Sequence, residues 1–360
     1  MSRVVIIGAG VIGASIAYHL TLKGHSVTVI EQFLPGSGAT SKSFSWINAN
    51  VPETAEYFRL RKVAIDEYRN LPAPIAEAIG LRWGGSLWWD DDEASLAAQV
   101  REHEELGYNI EVIDTKRFSE LEPHVADPPS ACIHATEEAA LEPLLLTQTL
   151  LDEAALRGAE ILIGCTVTGL VRENERFTGV DTSIGRKSAD TVILAAGVWT
   201  ESLLAAAGLR LPMDNRHGLI VHTNPVAPVL NHLVLPPEIN FRQEKDGRII
   251  VAEIFSGGSL HGNKLSADPL QLAGLIIEKL QKRLPGVDGL TAARAMVGYR
   301  PVPADGFPAI GVPRDGDGLY IAAMHSGITL GPAVGRLVAE EISGTDRSDL
   351  LTPYRPDRFN

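Results

Sequence analysis

The chain opens on four apolar residues, Val4-Val5-Ile6-Ile7, then Gly8-Ala9-Gly10-Val11-Ile12-Gly13, then a mostly apolar stretch to Leu22 and a glycine at 24. That order predicts a strand buried on both faces, a tight glycine turn and an α-helix with a C-terminal stop. Residues 26–30 read as a second strand, followed by Glu31 and Gln32. Residues 53–71 place Phe58, Val63, Ile65 and Tyr68 between charged positions and predict a helix. Residues 85–89 predict a strand, 92–105 a polar-faced helix, and 147–158 a helix closed by Arg157-Gly158. Three strand-like segments follow at 159–163, 167–171 and 179–183, and then a continuous apolar run, 190–197, ending in Ala195-Ala196-Gly197. From 217 to about 255 the alternation predicts antiparallel strands with a hairpin around Asp246-Gly247. Asp268-Pro269 caps a helix with the stripe Ala273, Ile276, Ile277, Leu280 and Leu284, closed by Pro285-Gly286. Residues 319–323 predict a last strand, and a turn at 324–327 opens a helix running to Ser343.

The first unit has the pattern that binds a dinucleotide. Gly8 allows the turn, Gly10 lets backbone approach a pyrophosphate, and Gly13 lets the helix pack close to the strand. The helix start faces the phosphates, and Glu31, about 20 residues on, can accept hydrogen bonds from a ribose. The competing reading of residues 3–20 as a leader or anchor fails on the glycines and on length, since a span needs about 20 apolar residues. Strand-to-helix units recur at the start, middle and end of the chain. They predict one discontinuous nucleotide-binding domain (1–80, 144–214 and 290–360) and a substrate domain between its pieces (81–143 and 215–289).

Length and composition narrow the partners. With 360 residues, 45% hydrophobic and 21% charged, the chain reads as a globular protein of about two domains. A net charge of −13 argues against nucleic acid and anionic membranes, which need clustered Lys and Arg. Cys132 and Cys165 read as small buried hydrophobes, and few cysteines with no leader predict a cytoplasmic protein. No metal-ligand spacing and no Gly-x-Ser-x-Gly elbow occur in the sequence. Asp90-Asp91-Asp92 and Glu137-Glu138 read as solvated faces or turns.

Four segments resemble the D-amino acid oxidase superfamily of FAD-dependent oxidoreductases, the group that includes glycine oxidase and monomeric sarcosine oxidase. They are 8–31 with Gly36-Ser37-Gly38-Ala39-Thr40-Ser41, then 192–199, then Gly298-Tyr299-Arg300-Pro301 through Asp305-Gly306-Phe307-Pro308, and finally 325–332. The resemblance implies an α/β fold: a Rossmann-type FAD domain with a mixed sheet, and a substrate domain with a large antiparallel sheet over the flavin. It implies FAD contacts from Gly8, Gly10, Val11, Ile12, Gly13, Glu31, Gln32, Gly38, Ala39, Thr40 and Ser41. Further along it implies Val167 near the adenine, with Ala195, Ala196, Gly197, Trp199 and Arg300, and lastly Ser326, Gly327, Ile328, Thr329 and Leu330. The helix opening at 327 would direct its positive end at a redox cofactor.

In this resemblance Arg300 is the clamp for a substrate carboxylate, a role that suits the two parallel donors of a guanidinium. His325 is the second catalytic candidate, while Trp46, Tyr299, Phe241 and Arg242 are candidate pocket residues. Gly298 stands where sarcosine oxidase has its flavin-linking cysteine, and no histidine lies between 36 and 50, so FAD is expected to be non-covalent. The active-site tyrosine of the relatives has no match near Asn240-Phe241. The implied activity is oxidation of a small D- or N-substituted amino acid to an imine, with oxygen or another carrier as final electron acceptor. A 2-hydroxy acid dehydrogenase and a non-catalytic nucleotide-binding regulatory protein are the alternatives. The sequence leaves oligomeric state open.

Overall fold

The fold is a computed structural model that describes residues 1–50, 54–214, 216–253, 260–261, 264–265 and 268–359. Residue 53 of the predicted 53–71 helix and residues 254–255 of the predicted antiparallel run lie outside the described residues.

Val4 to Ile7 are buried and β-branched, and they form the centre of a six-stranded sheet. Its order is Ala309–Gly311, Leu319–Ala323, Thr191–Leu194, Arg3–Ile7, Ser26–Glu31, Glu160–Ile163. All neighbours are parallel except the edge strand Ala309–Gly311. The start, middle and end of the chain therefore share one sheet, as the recurring strand-to-helix pattern predicts. The 190–197 run is shorter as a strand than expected. It pairs only over Thr191–Leu194, and its small residues then break into a single turn at Gly197–Trp199.

Two helices on this sheet, Val11–Leu22 and Gly327–Ile342, pack against each other through glycines spaced one turn apart. A Cβ at Gly331 would lie 3.2 Å from the Val11 side chain, and one at Gly335 would lie 2.6 Å from the Ser15 backbone. Pro332 sits inside the second helix and has no N–H for the Ile328 carbonyl one turn back. The buried Tyr68 hydroxyl, from helix Ala55–Arg69, donates to that carbonyl instead.

The second sheet has eight strands in the order Ala292–Arg300, Arg216–Thr223, Ile249–Glu253, Ile239–Gln243, Leu233–Leu235, Ser86–Trp88, Ala131–Ala135, Glu111–Asp114. It is antiparallel except for one parallel pair, Leu233–Leu235 with Ser86–Trp88, so the expected antiparallel sheet is mixed. Alternation divides it into two faces. Leu219, Val221, Phe241, Ile249 and Val251 pack under helix Pro269–Arg283. Ile220, Ile250, Ala252 and Met296 face the other way and meet Phe44. Gly247, at φ +89°, turns the hairpin that Asp246-Gly247 predicts.

Other boundaries move by a few residues. The 147–158 helix begins at Pro143, because proline is at home in a first helical turn. The 179–183 strand runs Arg176–Thr182 in a separate three-stranded sheet. Helices Ala73–Ala78, Thr115–Leu121 and Thr200–Ala206 are too short to show a full apolar period.

Gly335→Ala should lower stability by about 1–3 kcal/mol, read from the denaturant midpoint, because it overpacks a backbone contact. Gly274→Ala, on an exposed helical position with open space around it, should instead raise stability by about 0.5–1 kcal/mol. Tyr68→Phe should lose about 1–3 kcal/mol, because the Ile328 carbonyl is left buried without a donor.

Candidate active site

The glycine turn is held by its own backbone and by Glu31. Gly8 N–H donates to the Ile30 carbonyl at 2.8 Å, and Gly8 takes φ +101°. A Cβ there would lie 2.5 Å from the Ala195 carbonyl oxygen, and one on Gly13 would lie 1.9 Å from the Gly8 carbonyl oxygen. Glu31 accepts from Ala9 N–H at 2.9 Å and from Phe33 N–H at 2.8 Å, one on each carboxylate oxygen. The following loop folds back over the turn. Gly36 N–H donates to Ala9 C=O, and Val11 N–H donates to the Thr40 hydroxyl at 3.1 Å. Ser41 Oγ closes the loop on Ser37 C=O and Gly38 C=O, with Ala39 preceding Thr40–Lys42.

Several segments that the sequence nominates thus come together: Gly8, Gly10 and Gly13, the 36–41 loop, and Ala195-Ala196. Gly327 joins them, since a Cβ on it would lie 3.4 Å from the Val11 side chain and 3.5 Å from that of Ile12. Val167 packs on the core around Val5, Ile7 and Cys165. Trp199 is exposed and sits 6.2 Å from the Phe33 ring, beside Glu31 and Gln32.

Helix Gly327–Ile342 begins at Ser326, which holds a left-handed φ of +55° and provides no side-chain cap. A non-glycine residue in that region costs energy and marks a constrained site. Its first turn is tied to the 46–50 segment: Thr329 Oγ1 donates to Trp46 C=O at 3.1 Å and accepts from Asn48 N–H at 3.4 Å.

Arg300 ends its strand on the face opposite helix Pro269–Arg283. Its Nη1 donates to the His217 carbonyl at 2.7 Å, and its guanidinium lies across Gly218, where a Cβ would be 2.6 Å from Nη2. Burial, then the neighbouring Arg216, lower its pKa to about 10. His325 is half-buried, with Nδ1 3.0 Å from Ser326 Oγ. Burial first, then the cations Arg300, Arg61 and Arg216, lower its pKa to about 4, so it is neutral at ordinary pH.

Two polar groups that the sequence reading did not assign to the site complete the surroundings. Arg61 is buried, donating to Asn50 C=O at 2.7 Å and to Asn48 Oδ1 at 2.6 Å. Glu138, expected in a solvated turn, is fully buried: it accepts from Trp46 Nε1 at 2.5 Å, from Tyr108 OH at 2.7 Å and from Ser86 Oγ. Desolvation raises its pKa to about 7 against the pull of those donors. Gly218 carried the one usable signal, since a glycine inside a strand marks close approach by another group.

Two nominated pocket residues point elsewhere. Phe241 belongs to the core under helix Pro269–Arg283, and the Tyr299 ring packs at a tilt against His217, centroids 4.7 Å apart. Arg242 stays on the site face but is occupied by Glu244 at 2.6 Å and Phe44 C=O at 2.6 Å.

The nucleotide side fits FAD. A strip of glycine and alanine backbone runs along Gly8, Gly10 and Ala195, and two helices start there without a side-chain cap, at Gly10 and Ser326. Glu31 has lone pairs left for a ribose. Among the described residues no cluster could hold a metal, and no helix is long and apolar enough to cross a membrane.

Comparison with known proteins agrees with this geometry. Glycine oxidase of Pseudomonas putida is 27% identical, covering 99% of this chain and 98% of that protein. The uncharacterized oxidoreductase YurR of Bacillus subtilis is 29% identical, covering 99% of each. The crystal structure of L-proline dehydrogenase from P. horikoshii superposes with a TM-score of 0.87 at 25% identity, covering 99% of this chain and 97% of that one. Residues 3–341 match the DAO family, described as FAD dependent oxidoreductase, and a match of that extent over a glycine turn shaped for FAD decides the assignment. The chain belongs to the DAO family and is an FAD-dependent oxidoreductase acting on amino acid or amine substrates.

Proposed function

We propose that the protein oxidises the amine of a small D- or N-substituted amino acid to an imine, with the substrate carboxylate on Arg300. The observation that carries this reading is the half-buried Arg300 guanidinium, laid over a glycine beside a neutral histidine. Two parallel N–H donors match a carboxylate, and desolvation strengthens the pair. We place FAD along residues 8–13, Glu31 and Gln32, 38–41, Val167, 195–197, Trp199 and 326–330, held without a covalent bond because residue 298 is glycine and offers no thiol. Bound FAD supplies the acceptor for the hydride that leaves the substrate α-carbon.

The chain's own residues bind and orient. Arg300 fixes the carboxylate and with it the direction of the α-carbon, and such positioning provides much of the rate in this chemistry. His325 stays uncharged, so it adds no cation next to the amine and can exchange a hydrogen bond with it. Arg61 holds Asn48 and Asn50, which in turn fix the 46–50 segment against the helix start at Ser326. The amine enters uncharged, and once oxidised the imine is hydrolysed by water.

Oxygen-free protein mixed with D-, L- and N-methyl amino acids and with 2-hydroxy acids should lose its visible flavin absorbance with amino acids. Arg300→Ala should weaken carboxylate binding by about 10–100-fold, the equivalent of about 1.5–3 kcal/mol for a charged hydrogen bond, and Arg300→Lys by less. Unchanged bleaching in Arg300→Ala would sink the reading.

The pH dependence has a definite sign. Arg300 is a cation below about 10 and loses its charge above it, while His325 is neutral above about 4. The Kd of a carboxylate without an amine should therefore be flat from about pH 5 to about pH 9 and rise about tenfold per unit beyond the Arg300 value. A step near the ordinary histidine value, about 6.5, would contradict the neutral His325.

A further inference from the structure

We propose that the buried cation Arg61 sets the reduction potential of the bound flavin, adding its charge to the positive end of the Gly327–Ile342 helix. The inference rests on the placement of FAD against residues 326–330 and names a charge outside that set of contacts.

Helix Ala55–Arg69 carries Arg61 and Tyr68 two turns apart, and that spacing puts them on one face. Tyr68 reaches the Ile328 carbonyl in the first turn of the Gly327–Ile342 helix. Arg61 lies about 10 Å further along the helix axis and holds the segment that borders the same turn. Its Nη1 donates to Asn50 C=O and its Nη2 to Asn48 Oδ1, while Asn48 N–H donates to Thr329 Oγ1. One asparagine therefore links the guanidinium to the first turn of that helix. Arg61 is also among the cations that act on His325, the residue before Ser326.

The charge is buried and largely uncompensated. Arg61 is 8% exposed, and its partners among the described residues are neutral: two amide oxygens and the Tyr57 ring, 5.2 Å from Cζ. Its Nε is buried with no partner among those residues. A guanidinium stays protonated, and burying one on neutral groups costs more than an apolar residue that merely packed the segment. Glu138, a carboxylate that Arg61 acts on from a distance, directs its oxygens to Trp46, Tyr108 and Ser86 instead. Burial raises its pKa to about 7, so at neutral pH it offsets the guanidinium only in part. The remaining positive charge adds to the uncapped helix start at Ser326. Electrons entering a flavin there leave negative charge, which a fixed cation stabilises across low-dielectric protein. A carboxylate on Arg300 cancels that cation during the reaction, whereas Arg61 keeps its own.

The test uses flavin-loaded protein and two readouts that need no substrate. One is the midpoint potential of the flavin; the other is the affinity for sulfite, which adds to the oxidised ring and leaves it negatively charged. Arg61→Met removes the charge and keeps an unbranched stem. It should weaken sulfite binding about tenfold and lower the potential by about 30 mV, the same factor for a two-electron couple. Arg61→Lys keeps the charge but loses the planar fork, and should stay within about threefold of wild type. Arg61→Gln, an uncharged donor, serves if the methionine variant loses FAD.

Equal losses in Arg61→Met and Arg61→Lys would mean that Arg61 only holds Asn48 and Asn50, and would overturn the proposal. An unchanged potential with weaker benzoate binding would overturn it too, by assigning the charge to the substrate carboxylate. Ser326→Asp, a residue that tolerates the left-handed conformation, puts a carboxylate at the same helix start. If it weakens sulfite binding while Arg61→Met does not, the FAD placement stands and the role of Arg61 falls. If neither variant moves either readout, the placement and the role fall together.

Discussion

The structure depends on places where no Cβ stands between backbones. Gly8 sits against the Ala195 carbonyl, Gly13 against Gly8, and Gly335 against Ser15, each at a distance that a side chain would close. The first and last of these contacts join stretches of chain that are 187 and 320 residues apart. Because the 11–22 and 327–342 helices can approach so closely, their two uncapped starts, at Gly10 and Ser326, border the same nucleotide cradle. Two positive helix ends and exposed N–H groups at one edge of a parallel sheet make an anion site without any basic side chain, which suits an acidic chain.

Beside that cradle the electrostatics are set by cations. Burial first, and then Arg300, Arg61 and Arg216, hold His325 uncharged, while Glu138 is engaged by Trp46, Tyr108 and Ser86. Among the described residues no ion pair to Arg61 occurs; backbone and amide oxygens of the 48–50 segment take its protons. A buried guanidinium with neutral partners leaves the local potential positive. The same residues hold the 46–50 segment: Glu138 accepts from the Trp46 indole, Thr329 donates to its carbonyl, and Arg61 donates to the two asparagines that follow.

What the sequence revealed follows from how each feature is encoded. The parallel sheet is legible because strands buried on both faces need continuous apolar runs, and the glycine turn is legible because its spacing is local. The second sheet was legible as alternation but not in its order, because the parallel pairing of Leu233–Leu235 with Ser86–Trp88 is a contact across about 150 residues with no local signature. Arg300 was found through resemblance. Its partner Gly218, 82 residues earlier, was not, since one glycine in a strand does not say which group needs its space. Glu138 was misread for a related reason: Glu137-Glu138 looks solvated, but a turn after Ala131–Ala135 turns one carboxylate to Lys62 and drives the other into the interior.

The two sheets contribute in physically different ways. The parallel sheet offers backbone, so its part of the site is fixed by glycines and tolerates little change. The mixed sheet offers side chains, and alternation gives its two faces different neighbours: Leu219 and Val221 pack under helix Pro269–Arg283, while Ile220 and Met296 pack with Ile250, Ala252 and Phe44. Substitutions on one face therefore need not disturb the packing of the other. Arg300 is the exception that ties the faces together, because its guanidinium needs the space over Gly218 and its Nη1 donates to the His217 carbonyl of the neighbouring strand.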